Sequence, residues 1–398
     1  MNEVDAVLAG NHNAVARMAS NSPLLAAWFE AEIAALHQTC PTEHGGILMG
    51  TPVWGMEYVE RMVTYSLPCL GTPDNLKALS GKAVMVFYGT RADRGYLFKA
   101  TRWLRQAGIH TLFRDIPAEL IANISHPEDK YGILAVVQNI IAHMAGHNGM
   151  GMHMYCADHA YADGYFLSLG KLAAKHPAII QQGMSANIDT MAADLEPFRN
   201  QDDGSLAIPA ETLGGLTLKH IHARTGKTIA NGLRFPEEWP SSHQVTWVGK
   251  NAVHMAATPQ NIAYLCPELC ADPPIAFTST LDMLPPEYIP PGCWYMAGRD
   301  DGLVFCEMSG QKLVPPFIKG TLDQFIMRHW QQVSFTDDYN EYFAKRCLTP
   351  IPERAEGEYL PDDEIERQHA YILEHTRKGK PWAMETYFRS QVPHRFPA

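Results

Sequence analysis

The chain contains no run of about 18 apolar residues, the length that a membrane-spanning helix requires, so none is expected. It also has no basic excess: 43 acidic residues against 32 basic ones leave a net charge of −11. That balance argues against a chain built to coat nucleic acid, although it allows a local basic groove. Cysteine is sparse, with eight in 398 residues scattered between positions 40 and 347. This excludes the disulfide framework of a small secreted domain. Cys266 and Cys270, in CPELC, have no second ligand pair at finger spacing, so no structural zinc is read there. Familiar motifs are missing too. No GxGxxG fingerprint follows a strand, and no GxSxG elbow occurs. ARTGKT (223–228) ends like a P-loop, but Ile221 stands where that motif needs its first glycine. The opening MNEVDAVLAG carries acids where a secretory leader carries basic residues. The expectation is a soluble, cytoplasmic protein.

What is present is ordinary globular material. Hydrophobic residues make up 46% and charged residues 19%, enough for a packed core and too apolar for a mostly disordered chain. The first 80 residues read as helical. Asn21 or Ser22 can cap, Pro23 suits a first turn, and Leu25, Trp28, Phe29, Ile33 and Leu36 share a face. A Gly/Pro-containing loop is read after that helix, followed by 54–79 with no strand signal.

From Lys82 the pattern alternates. Ala83–Tyr88, His110–Phe113, Met150–Cys156 and Ala178–Gln181 are short apolar runs, as expected of strands buried on both faces. Helical segments over 95–107, 131–147 and 163–175 separate them. Strand and helix in alternation predict an α/β fold: a Rossmann-like, mainly parallel sheet flanked by helices. Ligands of such sheets sit at the carboxyl ends of the strands, which here means 88–94, 114–116 and 157–163. From about 240, short β-like runs (QVTWVG, AVHMAA, IAYLC, IAFTST, CWYMAG, LVFCEM) suggest a mixed or antiparallel region. Residues 362–377 read as a solvated helix.

The most informative segment is MYCADHAYADG (154–164). An apolar strand ends and Asp158 and His159 emerge at its tip. A carboxylate there has no packing reason to exist, and it is placed to hold a divalent cation through oxygen. Asp163, nearer the next helix, reads instead as its cap. FYGTRADRG (87–95) is a first-strand loop of the kind that receives a base and ribose, or else a plain solvated turn. His143 and His147 lie four apart on one helix face but lack the Glu of HExxH, since Met144 is there, so they read as a structural pair. His254 lies in a β-like run and is a further metal candidate. Asp282 (STLDMLPP) and Asp301 (AGRDDG) are acids near loops, where a general base for a hydroxyl would stand, although RDDG is also ordinary turn chemistry.

In their order these segments resemble the GT-A class of nucleotide-sugar glycosyltransferases, over about residues 54–310. YSLPCLGTPDNLKAL (65–79) is similar to the lead-in of a bacterial group of glycosyltransferase-like proteins. AVMVFYGTRAD (83–93) takes the place of the first strand and nucleotide loop. Residues 130–169 resemble the helix, strand and metal-loop passage, and LAIPAETLGGLTLKHIHA with AVHMAATP the downstream histidine segments. The resemblance implies a helical N-terminal region (1–80), a GT-A-like domain (81–350) with a nucleotide-binding half (81–185) and an acceptor half (186–350), and a helical tail (351–398). It implies donor contacts at Tyr88, Gly89, Thr90, Arg91 and Asp115; Lys130 is the cation that would neutralise the phosphates in place of a metal. It implies Mg²⁺ or Mn²⁺ at Asp158, with His159 or His254 as further ligands. Asp282 and Asp301 are the candidate bases. The partners implied are a nucleotide-diphosphate sugar and an acceptor hydroxyl. One departure stands out: the usual DxD reads Asp158-His159-Ala160, without its second carboxylate. That keeps two other readings open, a non-catalytic nucleotide- or partner-binding relative and a metal-dependent hydrolase built on His143, His147, His153, His159 and Asp158.

Overall fold

The computed structural model describes residues 23–35, 46–124, 129–226, 228–229, 238–239, 244–257, 262–271, 294–310, 318–319 and 346–378. Asp282, the run 275–280, the proline-rich 285–291 and the aromatics Trp382, Tyr387 and Phe388 lie outside the described residues. The chain forms two compact units. The first comprises Met1–Gln181, Phe198–Ile208 and Gln260–Tyr295; the second comprises Gln182–Pro197, Pro209–Pro259 and Met296–Ala398.

The strands in chain order are β1 (Ile47–Pro52), β2 (Ala83–Gly89), β3 (His110–Asp115), β4 (Gly151–Met154), β5 (His159–Tyr161), β6 (Ala178–Ile180), β7 (Met184–Asn187), β8 (Glu238–Trp239), β9 (Gln244–Val248), β10 (Ala252–Ala257), β11 (Ile262–Leu265), β12 (Trp294–Met296), β13 (Phe305–Ser309), β14 (Ile318–Lys319) and β15 (Cys347–Pro350). The main sheet has the order β12-β6-β11-β4-β1-β2-β3. β4, β1, β2 and β3 are parallel neighbours, while β11 runs antiparallel to both β4 and β6. The fold is α/β, with a mostly parallel central sheet flanked by helices. All seven residues of β2 are buried, as its uninterrupted apolar run requires. Burial of a Val or Phe side chain stabilises by roughly 1.5–3 kcal/mol, so β2 is a large local contributor.

The structure corrects one expectation. The segment read as a Gly/Pro loop contains β1, which stands between β2 and β4 inside the sheet. Its glycine has a packing cause: a Cβ on Gly50 would lie 2.3–2.6 Å from the Ile141 side chain, on the helix Asp129–His147. The helix approaches the strand more closely than any side chain at 50 permits.

A second irregularity also follows from sequence. The helix Met56–Arg61 runs through a π-helical turn, Met62–Ser66, into Leu67–Leu70. The Leu67 amide reaches back five residues to the Met62 carbonyl. Pro68 has no N–H and its ring crowds the carbonyl four residues back, which is Thr64. That carbonyl accepts instead from the Arg199 guanidinium at 3.0 Å.

In the second unit β9, β10 and β15 form an antiparallel sheet, and β7 pairs parallel with β13. Its core includes Met184, Val253, Met255, Cys347 and Ile351. The helix Asp362–Lys378 docks through buried Ile365, Gln368 and His369. The Gln368 side-chain oxygen accepts from the buried Trp247 indole N–H at 2.8 Å.

Candidate active site

In the first unit the chain lays down β1, then β2 and β3 outward on one side, and returns to add β4 on the other side of β1. The strand order therefore reverses at β1/β4. Beyond the carboxyl ends of strands at such a point a crevice opens, because successive connections leave in opposite directions. The β4 chain continues past Met154 with the Tyr155 amide still bonded to the Gly50 carbonyl at 2.9 Å. The next residues, Cys156 to His159, lie at the strand tip.

There one group of three assembles. Cys156, Asp158 and His159 each present a ligand atom, and these atoms all lie within 4.8 Å of one another. Cys156 and Asp158 are half-buried and His159 is 7% exposed. No other group of three His, Cys, Asp or Glu side chains assembles in this way among the described residues. Donors about 2.0–2.3 Å from one tetrahedral ion are themselves about 3.3–3.8 Å apart. The cluster therefore brings together three donors of metal-ligating kinds, and holding one divalent cation would draw them closer by up to about 1 Å.

Two hydroxyls hold the strand tip. Ser66, on the π-helical turn, donates to the Cys156 carbonyl at 3.2 Å and also lies 2.8 Å from the Tyr155 hydroxyl. The Tyr161 hydroxyl accepts from the Cys156 amide at 3.4 Å and sits 3.5 Å from His159 Nδ1, touching both ends of the cluster. Behind them is an aromatic wall. Tyr155 stacks on Tyr161 at 5.1 Å, and Tyr165 meets Tyr161 edge-on at 4.9 Å. Burial pushes the Tyr155 and Tyr161 phenols well above their usual range, so both remain protonated at neutral pH. His153 stands in the same wall, with Nδ1 donating to the Ala263 carbonyl at 2.7 Å. Burial lowers its pKa to about 4, so its ring is neutral.

Of the residues expected to meet a nucleotide, Gly89, Thr90, Arg91 and Asp115 lie at the carboxyl ends of β2 and β3, while Tyr88 lies within β2 and Lys130 on a separate helix. Thr90 caps the helix Arg91–Ala100, its hydroxyl oxygen accepting from the Asp93 amide at 3.3 Å. Its hydroxyl donates to Asp93 Oδ2 at 2.6 Å, and the Gly55 amide donates to the same oxygen at 3.2 Å. Arg91 is exposed in the first helical turn. Asp115 is exposed at the end of β3 and pairs with Arg94 at 3.3 Å. Gly89 is buried, and a Cβ there would meet the Val53 carbonyl at 2.6 Å, so β1 and β2 close together at this end. Tyr88 is buried, with its hydroxyl donating to Glu32 at 3.0 Å; Arg114 pairs with the same carboxylate at 2.9 Å. Lys130 is half-buried in the first turn of the helix Asp129–His147.

Two other expected residues belong to the second unit. His254 is on β10 of the second unit, opposite Trp247 and Leu348, and burial lowers its pKa to about 4. Asp301 ends a short turn of the second unit, where its Oδ2 accepts from the Gly298 amide at 2.6 Å. Asp163 is not the cap of the helix Tyr165–Ala173; left-handed Gly164 occupies that position. Sequence reasoning passed over Cys156, counted as the end of an apolar strand, and Ser66, ninety residues away from it. The signal for Cys156 was its C-x-D-H spacing at a strand tip.

No protein-family profile and no curated protein matches the chain. Among solved structures it is similar to mouse xyloside xylosyltransferase 1, with 12% identity, a TM-score of 0.24, and coverage of 39% of this chain and 58% of that one. It is similar to core-mannan synthase A from Aspergillus fumigatus in its Mn/GDP form, with 7% identity, a TM-score of 0.25, and coverage of 42% and 52%. It is similar to S. aureus TarS, with 10% identity, a TM-score of 0.31, and coverage of 87% and 46%. The matches thus span about half the length of those chains.

Proposed function

We propose that this chain is a glycosyltransferase that binds a nucleotide-diphosphate sugar at the carboxyl edge of β4, β1, β2 and β3 and passes the sugar to an acceptor hydroxyl. The observation that carries the reading is the Cys156–Asp158–His159 cluster at the strand-order reversal. In this reading the base and ribose lie along Gly89, Thr90, Arg91 and Asp115, with Tyr88 supporting the loop from below. The diphosphate lies toward Asp158 and His159, with Lys130 as a further positive group. A bound divalent cation supplies charge neutralisation for the leaving diphosphate. The bond from the anomeric carbon to the diphosphate oxygen breaks and one to the acceptor oxygen forms. In an inverting enzyme the acceptor proton passes to a carboxylate, with Asp282 as the candidate. The reaction belongs in the cytoplasm, where nucleotide sugars are made.

The test is a thermal-shift panel of nucleoside diphosphates and their sugars, each with EDTA, Mg²⁺ or Mn²⁺. At a hundred times Kd a ligand adds about 2.7 kcal/mol to stability, a visible shift in melting temperature. One nucleotide series is expected to shift the protein, and Asp158→Asn to abolish the shift. If no nucleotide stabilises the protein, or if Asp158→Asn responds as the wild type does, the reading is wrong.

A further inference from the structure

From the donor set at the β4 tip we infer that its resident ion is a thiophilic divalent metal of the zinc class, bound through Cys156, rather than Mg²⁺ or Mn²⁺. This deepens the proposed function by naming the metal of the same site. The ion's role depends on that reading; its identity rests on the donor set alone.

The chemistry of the ligands decides. Mg²⁺ and Mn²⁺ favour hard oxygen donors, and Mg²⁺ typically keeps several waters beside one or two carboxylates. The cluster offers one carboxylate, one imidazole and one sulfur. Thiolate and imidazole together select zinc, cobalt or cadmium. A zinc ion with three protein ligands keeps a fourth position for water or substrate. The missing second carboxylate of DxD then has an explanation, since Cys156 and His159 flank Asp158 and provide the remaining donors.

The surroundings fit a built site. Ser66 and Tyr161 bind the Cys156 carbonyl and amide, which sets the direction of its side chain. Tyr161 also contacts His159, so one hydroxyl orients two ligands in the way outer hydrogen bonds do at metal sites. Cys156 is half-buried, whereas Cys69, Cys270, Cys306 and Cys347 are sealed in the interior. Coordination would release the thiol proton to solvent and form the metal–sulfur bond with no change of oxidation state.

The experiment is a Co²⁺ titration of the full chain after removal of metal by chelation, followed by Zn²⁺ competition. Wild type is expected to show a thiolate-to-cobalt charge-transfer band in the near ultraviolet, which Zn²⁺ bleaches and excess Mg²⁺ does not. Cys156→Ser should lose that band and bind Zn²⁺ weaker by at least about tenfold to a hundredfold. Cys266→Ser, at the one other partly exposed described cysteine, should keep both. Asp158→Asn gives a second variant should Cys156→Ser fail to fold; it should weaken Zn²⁺ binding while retaining a sulfur band. The inference is overturned if Cys156→Ser leaves the band and the affinity unchanged, or if Mg²⁺ or Mn²⁺ binds as tightly as Zn²⁺. A sulfur band with no nucleotide binding would leave the metal assignment standing and remove the transferase reading. Nucleotide binding that depends on Asp158 and Mg²⁺, without a band, would do the reverse.

Discussion

His153 shows how one side chain sets a property of the whole protein. It is 1% exposed, donates through Nδ1 to the Ala263 carbonyl, and faces Tyr155, Tyr161, Tyr165 and Phe166. Burial lowers its pKa to about 4, while in the unfolded chain it titrates near 6.5. The neutral ring therefore favours the folded state. That contribution is complete above about pH 6.5 and is lost as pH falls toward 4, because the unfolded chain takes up the proton first. The separation corresponds to about 3 kcal/mol of lost stability by pH 4. A His153→Gln variant keeps an N–H donor and does not titrate. Denaturant midpoints followed from pH 7 to 4.5 should fall more steeply for wild type than for this variant. Parallel profiles would show that the ring does not govern acid sensitivity here.

At the scale of elements the π-helical turn makes a comparable claim. Pro68 displaces the Thr64 carbonyl from the helix ladder, and Arg199 receives it. Arg199→Met removes that donor together with the bond to the Gly204 carbonyl, and should cost about 1–2 kcal/mol, read as a lower urea midpoint at unchanged slope. An unchanged midpoint would mean that water serves both carbonyls equally well. The same scale explains what could be read from sequence. β2, β3, β6 and the helices over 129–147 and 362–378 were legible because their apolar runs or periodicities are bounded by polar and turn residues. β1 was not legible. Its Gly50 answers to Ile141, ninety residues on, and a glycine required by a distant contact looks like loop chemistry locally. The insertion of β11 into the main sheet was hidden for the same reason, since nothing within IAYL names β4 and β6 as its partners. The site divides likewise. Asp158 and His159 stand out at a strand tip, whereas Ser66 and Tyr161 acquire their roles only when the fold brings them to Cys156.

At the scale of the molecule the two units are interleaved along the chain. β6 reaches the main sheet through β11, which follows it only after the chain has contributed Gln182–Pro197 and Pro209–Pro259 to the other unit. A fragment ending at Gln181 would therefore hold β1 to β4 but present the β4 edge unpaired. Such a fragment should be recovered mostly as aggregate, and co-expression of the remainder should raise its soluble yield. A soluble, monomeric, cooperatively melting fragment 1–181 would show that the sheet closes without β11.

The interleaving also governs how the protein is made. About eighty residues separate the end of β6 from the start of β11. At roughly 5–20 residues per second, the ribosome needs about 4–16 s to cover that distance. Throughout that interval the nascent chain carries β4 with one side open and β6 without a neighbour. Successful synthesis in a cell then depends as much on what shields that open edge for those seconds as on the stability of the finished sheet.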